Sequence, residues 1–347
     1  MKLCLAGDVM TGRGIDQALP HSAPPDLYEP YVRSARDYVA LAEQANGPIA
    51  RPLAFDYVWG DALAEIERRR PDARIVNLET AVTARGSPWR RKAIHYRMHP
   101  RNVPCLTAAR IDCCVLANNH VLDWGTGGLE DTLDTLHAAG IRTAGAGRDA
   151  KEAKAPAVLE PRPGTRALVF AYATPSAGVP PEWAAGRGPG VNFLPDFSGE
   201  SCRTNAAEIG GNRRPGDVVV VSLHWGGNWG YEVSAAEREF ARALIDAGAD
   251  VVHGHSSHHA KAVELHRGRP ILYGCGDLIN DYEGIAGHES YRPELAALYF
   301  VAPGCELELV PLRLRRFRLE RASEEDARWL ARTLGMDFHE GALIAHG

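Results

Sequence analysis

The chain has 347 residues, 45% of them hydrophobic, and a formal net charge of -5. That is enough apolar material for one large domain or two small ones, and the mildly acidic balance argues against nucleic acid as the main partner. No apolar run is long enough to span a bilayer and no secretory leader precedes the first strand-like run, so the expectation is a cytoplasmic protein with no membrane anchor.

In chain order, apolar runs predict strands over residues 2–6, 73–76, 111–117, 166–171, 217–223, 250–252, 271–273 and 295–301. Several are unbroken Val/Ile/Leu runs of the kind buried on both faces, clearest at Val218–Val221. Helical patterns lie between them. One covers residues 59–70 and stops at Pro71. Another places Leu129, Leu133 and Leu136 on one face, with Gly140 as its C-cap. Ser234-Ala235-Ala236-Glu237 reads as a capping box before Phe240 and Leu244, and Gly248 ends that helix. Strands resume over residues 307–319, and a last amphipathic helix runs from Ser323 to Gly335. Alternating strands and helices predict α/β layers. Residues 20–52 and 175–201 read as two long irregular stretches, functional or disordered. The seven cysteines are odd in number and form no CxxC pair, so buried free thiols are expected.

Five polar motifs each close an apolar run: Gly7-Asp8, Asn77-Leu78-Glu79, Asn118-Asn119-His120, His224-Trp225-Gly226 and Gly254-His255-Ser256-Ser257-His258. Asp, Glu, Asn and His are the side chains that bind divalent metals or move protons. In α/β sheets, ligands gather at the carboxyl ends of strands, so one rim can collect all five. Taken singly, each has a plainer reading. Asp8 is a metal ligand or base, or a turn residue. Asn77 and Glu79 share one side of their strand and suit a hard cation, or form a surface pair. His120, which Asp123 could orient, is an acid/base residue or part of a satisfied network. His224 is a ligand or a hydrogen-bonded core histidine. His255 and His258 carry the strongest signal for metal or acid/base work. Asp277 pairs a site histidine or belongs to a turn. Between Arg85 and Arg101 lies a basic segment with no acid. Within it Arg90, Arg91 and Lys92 could grip an anionic substrate, or form a solvated face. Trp225 and Trp229 flank His224 among glycines as further substrate-contact candidates.

In this order, with Ala117 before Asn118-Asn119-His120 and Asp123-Trp124-Gly125 after it, the motifs resemble the CapA family of poly-γ-glutamate capsule biosynthesis proteins, within the calcineurin-like metallophosphoesterase superfamily. The resemblance runs from about Leu3 to Asp281. It implies a calcineurin-like metallophosphatase fold, with two packed β-sheets flanked by helices in an αββα sandwich, and a metal site at one end. With no linker to split the chain, residues 1–347 are expected to form a single domain. Residue by residue, the resemblance implies Asp8, Glu79, Asn119, His224, His255 and His258 as metal ligands and His120 as the histidine assisting catalysis. Asp277 stands where many relatives have Asn.

The departures shape the functional expectation. Metallophosphoesterases usually begin with Asp-x-His, but Val9-Met10 follows Asp8 here, and Asn77-Leu78-Glu79 replaces a Gly-Asp motif. One histidine of the two-metal set is missing, so one well-bound metal, or a weak second, is expected. The oxygen ligands favour Ca²⁺, Mg²⁺ or Mn²⁺ over zinc or iron. Without an anchor, the chain looks like a soluble branch of the family similar to the lasso-peptide epimerases. The leading expectation is a metal-dependent enzyme on a peptide or polyglutamate-like substrate, most specifically a Cα epimerase. Its chemistry would be carried by Asp8, His120, Asp123, His255, His258 and Asp277. The rivals are a degenerate phosphoesterase and a metal-containing peptide- or glycan-binding protein without turnover.

Overall fold

A computed structural model describes residues 1–302, 304 and 306–345. Its frame is two β-sheets. The larger has ten strands among the described residues. From one edge it runs Asp337–His339, Ala342–Ile344, Leu307–Arg315, Leu295–Val301, Leu3–Val9, Ala73–Leu78, Cys113–Val115 and Arg142–Ala144. The short strand Asp277–Ile279 pairs with the end of Leu3–Val9, and Arg318–Arg321 pairs with Leu307–Arg315. The second sheet has six strands, in the order Val263–His266, Arg269–Leu272, Val251–His255, Val218–His224, Thr165–Ala173 and Ala157–Arg162.

Residue alternation explains how the sheets pack. Val220 and Val251 point into a cluster shared with Leu5, Ile75 and Val115 of the larger sheet. Val219, Val221 and Val252 point the other way, onto Phe240 and Leu244 of the helix Ala235–Asp246 and Ile209 of the helix Gly199–Asn212. The Val run is therefore buried on both faces, as its composition predicts. Helix Gly125–Ala138 contributes Leu129, Leu133 and Leu136 to the shared cluster. This is the two-sheet, helix-flanked α/β architecture that the resemblance implies.

Strands 3–9, 73–78 and 113–115 run parallel, as do 165–173, 218–224, 251–255 and 269–272. Their carboxyl ends bring the polar motifs to one rim. Gly7 is required there, because a Cβ at that position would sit 1.8 Å from the Gly276 carbonyl oxygen.

The Ser234 capping box has both its hydrogen bonds. The last helix is Glu324–Leu334, capped by Ser323 and closed by Gly335 at φ +67°. Two helices go beyond the sequence expectation, one inside the irregular 20–52 stretch and one that begins at the end of the 175–201 stretch and runs past it. Ala35–Asn46 is capped by Ser34 and buries Tyr38, Val39 and Ala42. Gly199–Asn212 carries glycines and little apolar surface, which hid its period. Six cysteines are free, five of them buried and Cys202 half-buried. Cys305 lies outside the described residues. Among the described residues no helix is long and apolar enough to cross a membrane.

Candidate active site

Asp8, Glu79, His120, His224, His255, His258 and Asp277 are all buried. They form two overlapping donor groups, Asp8–His224–His255 and Asp8–His258–Asp277, each with its ligand atoms within 4.8 Å of one another. Asp8 is common to both. Strand register brings it beside Asp277, and the Asp8 N–H donates to the Gly276 carbonyl at 3.0 Å. On the second sheet, His224 and His255 are register partners on neighbouring strands, with their Nδ1 atoms 2.9 Å apart. His255 Nδ1 lies 3.8 Å from Asp8 Oδ1, and Glu79 Oε2 lies 4.0 Å from His224 Nδ1.

An amide outside the expected ligand set ties the carboxylates together. Asn77 Nδ2 donates to Asp8 Oδ1 at 2.7 Å and to Glu79 Oε2 at 3.0 Å, while its Oδ1 accepts from Asn118 Nδ2 at 3.0 Å. Burial, and then the charge of Asp277, push the Asp8 carboxyl up to about 7. Burial, and then Asp8, push Glu79 well above the usual carboxylate range. Burial, and then neighbouring imidazoles and Lys92, hold His224 well below its ordinary value; burial and the flanking His224 and His253 do the same to His255. Buried carboxyls that resist ionising, beside neutral imidazoles, form a cluster short of positive charge. His224 Nε2 and Asn119 Oδ1 are moreover buried with no hydrogen-bond partner, which is rare in folded proteins. A divalent cation fits this donor set.

Two histidine–carboxylate pairs stand beside the cluster. His120 Nδ1 contacts Asp123 Oδ2 at 2.6 Å, and its Nε2 lies 3.8 Å from Glu79 Oε1. Burial, and then the Lys92 ammonium, lower His120 to about 4. His258 Nδ1 contacts Asp277 Oδ1 at 3.0 Å, and Asp277 Oδ2 accepts from Asn280 Nδ2 at 2.9 Å. Burial opposes protonation of His258, but Asp277 outweighs it and raises the imidazole above its usual value. Two tyrosines join the pairs. The Tyr96 ring packs edge-on to His120 with centroids 4.6 Å apart, Tyr96 OH donates to Tyr282 OH at 3.2 Å, and Tyr282 OH lies 3.4 Å from His258 Nε2.

The expected contact residues separate. Lys92 turns inward: its Nζ bonds the Asn119 carbonyl and Asp123 and lies 3.0 Å from His120 Nδ1. It holds the histidine rather than facing solvent, a correction to its expected role as a substrate grip. Arg90 and Arg91 are exposed. Trp225 is also corrected. Its ring is buried in the outer core against Tyr273, and its Nε1 donates to the Tyr273 carbonyl at 3.0 Å. Trp229 is half-buried near the rim, 5.4 Å from the His258 ring and stacked on His288 at 3.8 Å. Of the two amides in their motif, Asn118 is the fully buried one, and it folds the turn by accepting from the His120 and Val121 N–H groups at 3.0 Å. Asn119, expected as a ligand, is half-buried with its oxygen unpartnered.

Sequence reasoning missed Arg13. It is buried beneath the rim, paired with Asp281 at 2.5 Å and Glu29 at 2.9 Å, with the Tyr38 and Tyr96 rings 3.9 and 4.3 Å from its guanidinium. The tyrosines of the 20–52 stretch and Asp281 were visible, but nothing in the sequence linked them to Arg13.

Buried carboxylates and imidazoles gathered from two facing sheets define a candidate metal-dependent acid/base site. Residues 2–282 match the family described as bacterial capsule synthesis protein PGA_cap, and the chain belongs to that family. It is 49% identical over 338 residues to a "Probable polyglutamine synthesis accessory protein" of Mycobacterium tuberculosis (strain CDC 1551 / Oshkosh), covering 95% of this chain and 89% of that protein. It is 27% identical over 283 residues to the PGA biosynthesis protein CapA of Bacillus subtilis (strain 168), covering 79% of this chain and 62% of that one. Among solved structures it is similar to a 5'-nucleotidase precursor from Thermus thermophilus, with 17% identity and a TM-score of 0.40 over 92% of this chain and 52% of that one. It is also similar to the NAD nucleotidase of Haemophilus influenzae, with 14% identity and a TM-score of 0.43 over 98% of this chain and 57% of that one.

Proposed function

We propose that this protein is a metal-dependent enzyme acting by acid/base chemistry on a peptide or polyglutamate-like substrate, and that its specific reaction is epimerisation at a peptide Cα. The observation that carries this reading is the pair of His–carboxylate dyads, His120–Asp123 and His258–Asp277, flanking the Asp8-centred cluster. Asp8, His224 and His255, with Glu79 and Asn119 beside them, would hold the cation. A bound divalent cation supplies fixed positive charge beside the oxygen that becomes negative in the reaction. The two imidazoles in the first donor group favour Mn²⁺ over Ca²⁺ and Mg²⁺.

Inversion of a Cα centre needs one group to remove a proton and another to return one. His120 is suited to removal: Asp123 and the Lys92 ammonium fix its ring, and its neutral form is favoured by burial. His258, whose protonated form the Asp277 carboxylate favours, is suited to return. The Tyr96–Tyr282 hydroxyl pair lies between the two rings. The names of the relatives, a polyglutamine synthesis accessory protein and a PGA biosynthesis protein, support a peptide polymer of glutamine or glutamate as the substrate class.

A second reading, phosphoester hydrolysis, draws on one observation. The two donor groups share Asp8, and a shared carboxylate is what a two-cation clamp requires. Both readings are tested together. The protein with Mn²⁺ is incubated in D₂O with poly-γ-glutamate and a peptide panel, and mass spectrometry reads deuterium at Cα; aryl phosphates are assayed in parallel. Exchange that vanishes in His120→Ala supports epimerisation. Phosphate release without exchange supports hydrolysis and overturns the lead, and neither signal leaves a binding protein.

A further inference from the structure

Four side chains of the second sheet share its inner face: Ser222 and His224 on one strand, His253 and His255 on the next. Ser222 is the hydroxyl in an otherwise aliphatic run, and both it and His253 are fully buried. His253 reaches across to the larger sheet, where its Nε2 lies 2.9 Å from the Ala6 carbonyl oxygen. Its Nδ1 lies 3.1 Å from Ser222 Oγ, and Ser222 Oγ lies 2.8 Å from His255 Nε2. The other nitrogen of His255 faces Asp8 and His224.

The direction of every proton in this line follows from one end. A carbonyl oxygen only accepts, so His253 carries its proton on Nε2. No carboxylate contacts His253 among the described residues, and a buried imidazole without one is neutral. Its Nδ1 is then a lone pair, and the Ser222 hydroxyl donates to it. That hydroxyl has a single hydrogen, so its oxygen accepts from His255, whose proton therefore sits on Nε2. His255 is left with a lone pair on Nδ1.

We propose that the Ala6 carbonyl, acting through His253 and Ser222, fixes the tautomer of His255 so that a lone pair faces Asp8 and His224, which makes Ser222 and His253 positioning residues of this site. The consequence for metal binding rests on the cation reading above; the tautomer itself does not. Without the Ser222 hydroxyl, the His255 proton is free to move to Nδ1 and bond Asp8, and a cation must then displace it. Hydrogen-bond partners of ligating histidines typically change metal affinity about 10–100-fold when removed.

Two measurements test this. In chelated protein labelled with ¹⁵N-histidine, ring-nitrogen NMR should report the Nε2–H tautomer for both His253 and His255; Nδ1–H on His255 overturns the relay. Calorimetric titration with Mn²⁺ should then show Ser222→Ala binding about 10–100-fold more weakly than wild type. Ser222→Thr, which keeps the hydroxyl, should restore affinity, and His255→Ala should abolish it. Unchanged affinity in a folded Ser222→Ala protein, with binding lost in His255→Ala, overturns the relay and leaves the cation reading standing. Failure of the wild type to bind Mn²⁺ sinks the cation reading, and the NMR result then decides the tautomer alone.

Discussion

In chelated protein the Asp8 carboxyl should cost progressively more stability as the pH rises from about 4 to about 8, a trend read as the difference from an Asp8 variant because the buried neutral imidazoles move total stability the other way. The Asp8 carboxyl is fully buried, and burial followed by the Asp277 charge moves it from 3.8 to about 7. An acid raised on folding imposes no penalty below its unfolded value. The penalty grows as the pH climbs from there and is complete above the folded value. A displacement of this size corresponds to on the order of 4 kcal/mol, shared with Glu79 because Asn77 bridges the two carboxyls. Asp8→Asn removes the charge and keeps an oxygen for Asn77 Nδ2. At about pH 8 and without metal, the variant should therefore be more stable than wild type, by at most about 4 kcal/mol, and the gap should shrink towards pH 4. Mn²⁺ should reverse the order, because only wild type keeps the carboxylate that binds it. Urea unfolding followed by tryptophan fluorescence, in EDTA and in Mn²⁺, reads all of this. A wild type–variant difference that stays flat with pH, or a variant less stable than wild type at pH 8, would refute the reasoning.

Other perturbations separate the roles of neighbouring residues. His120→Ala should lower kcat by about 10²–10⁴-fold with KM little changed, measured on whichever substrate turns over. Lys92→Met leaves Asp123 without its ammonium partner and should cost up to about 3–5 kcal/mol in urea unfolding. Trp225→Ala should cost about 3–5 kcal/mol through lost packing. Replacing Arg90 and Arg91 together by Ala should leave stability within about 0.5 kcal/mol, but raise KM for an anionic substrate in a way that added salt masks.

Much of the site was legible because each motif ends a strand. Val218–His224 and Val251–His255 each open on a valine run and end on a histidine, and parallel pairing does the rest. Sequence periodicity reports which side of a strand a residue takes, so Asn77 and Glu79 were placed together correctly. It does not report which of two adjacent amides is fully buried, here Asn118, which folds the turn and leaves the Asn119 oxygen unpartnered. It is equally silent on long-range pairing. Lys92 directly follows Arg90 and Arg91, which face solvent, and its long-range contacts with Asn119, His120 and Asp123 turn it inward. Trp225 among glycines looks like a platform; the core against Tyr273 claims it instead. The helix Ala35–Asn46 was hidden because its apolar face is short and lies among prolines and tyrosines.

The order in which the chain builds its sheets bears on its synthesis. Polypeptide leaves the larger sheet after Ala144, completes the whole second sheet, and returns at Asp277. Asp8 thus leaves the ribosome long before its neighbour Asp277 is made, and its own strand stays open on one side until Leu295–Val301 arrives. Such distant closure is slow and leaves an apolar edge bare in the meantime. Truncated products ending before Asp277 should therefore clump in the cell rather than accumulate as a half-built enzyme.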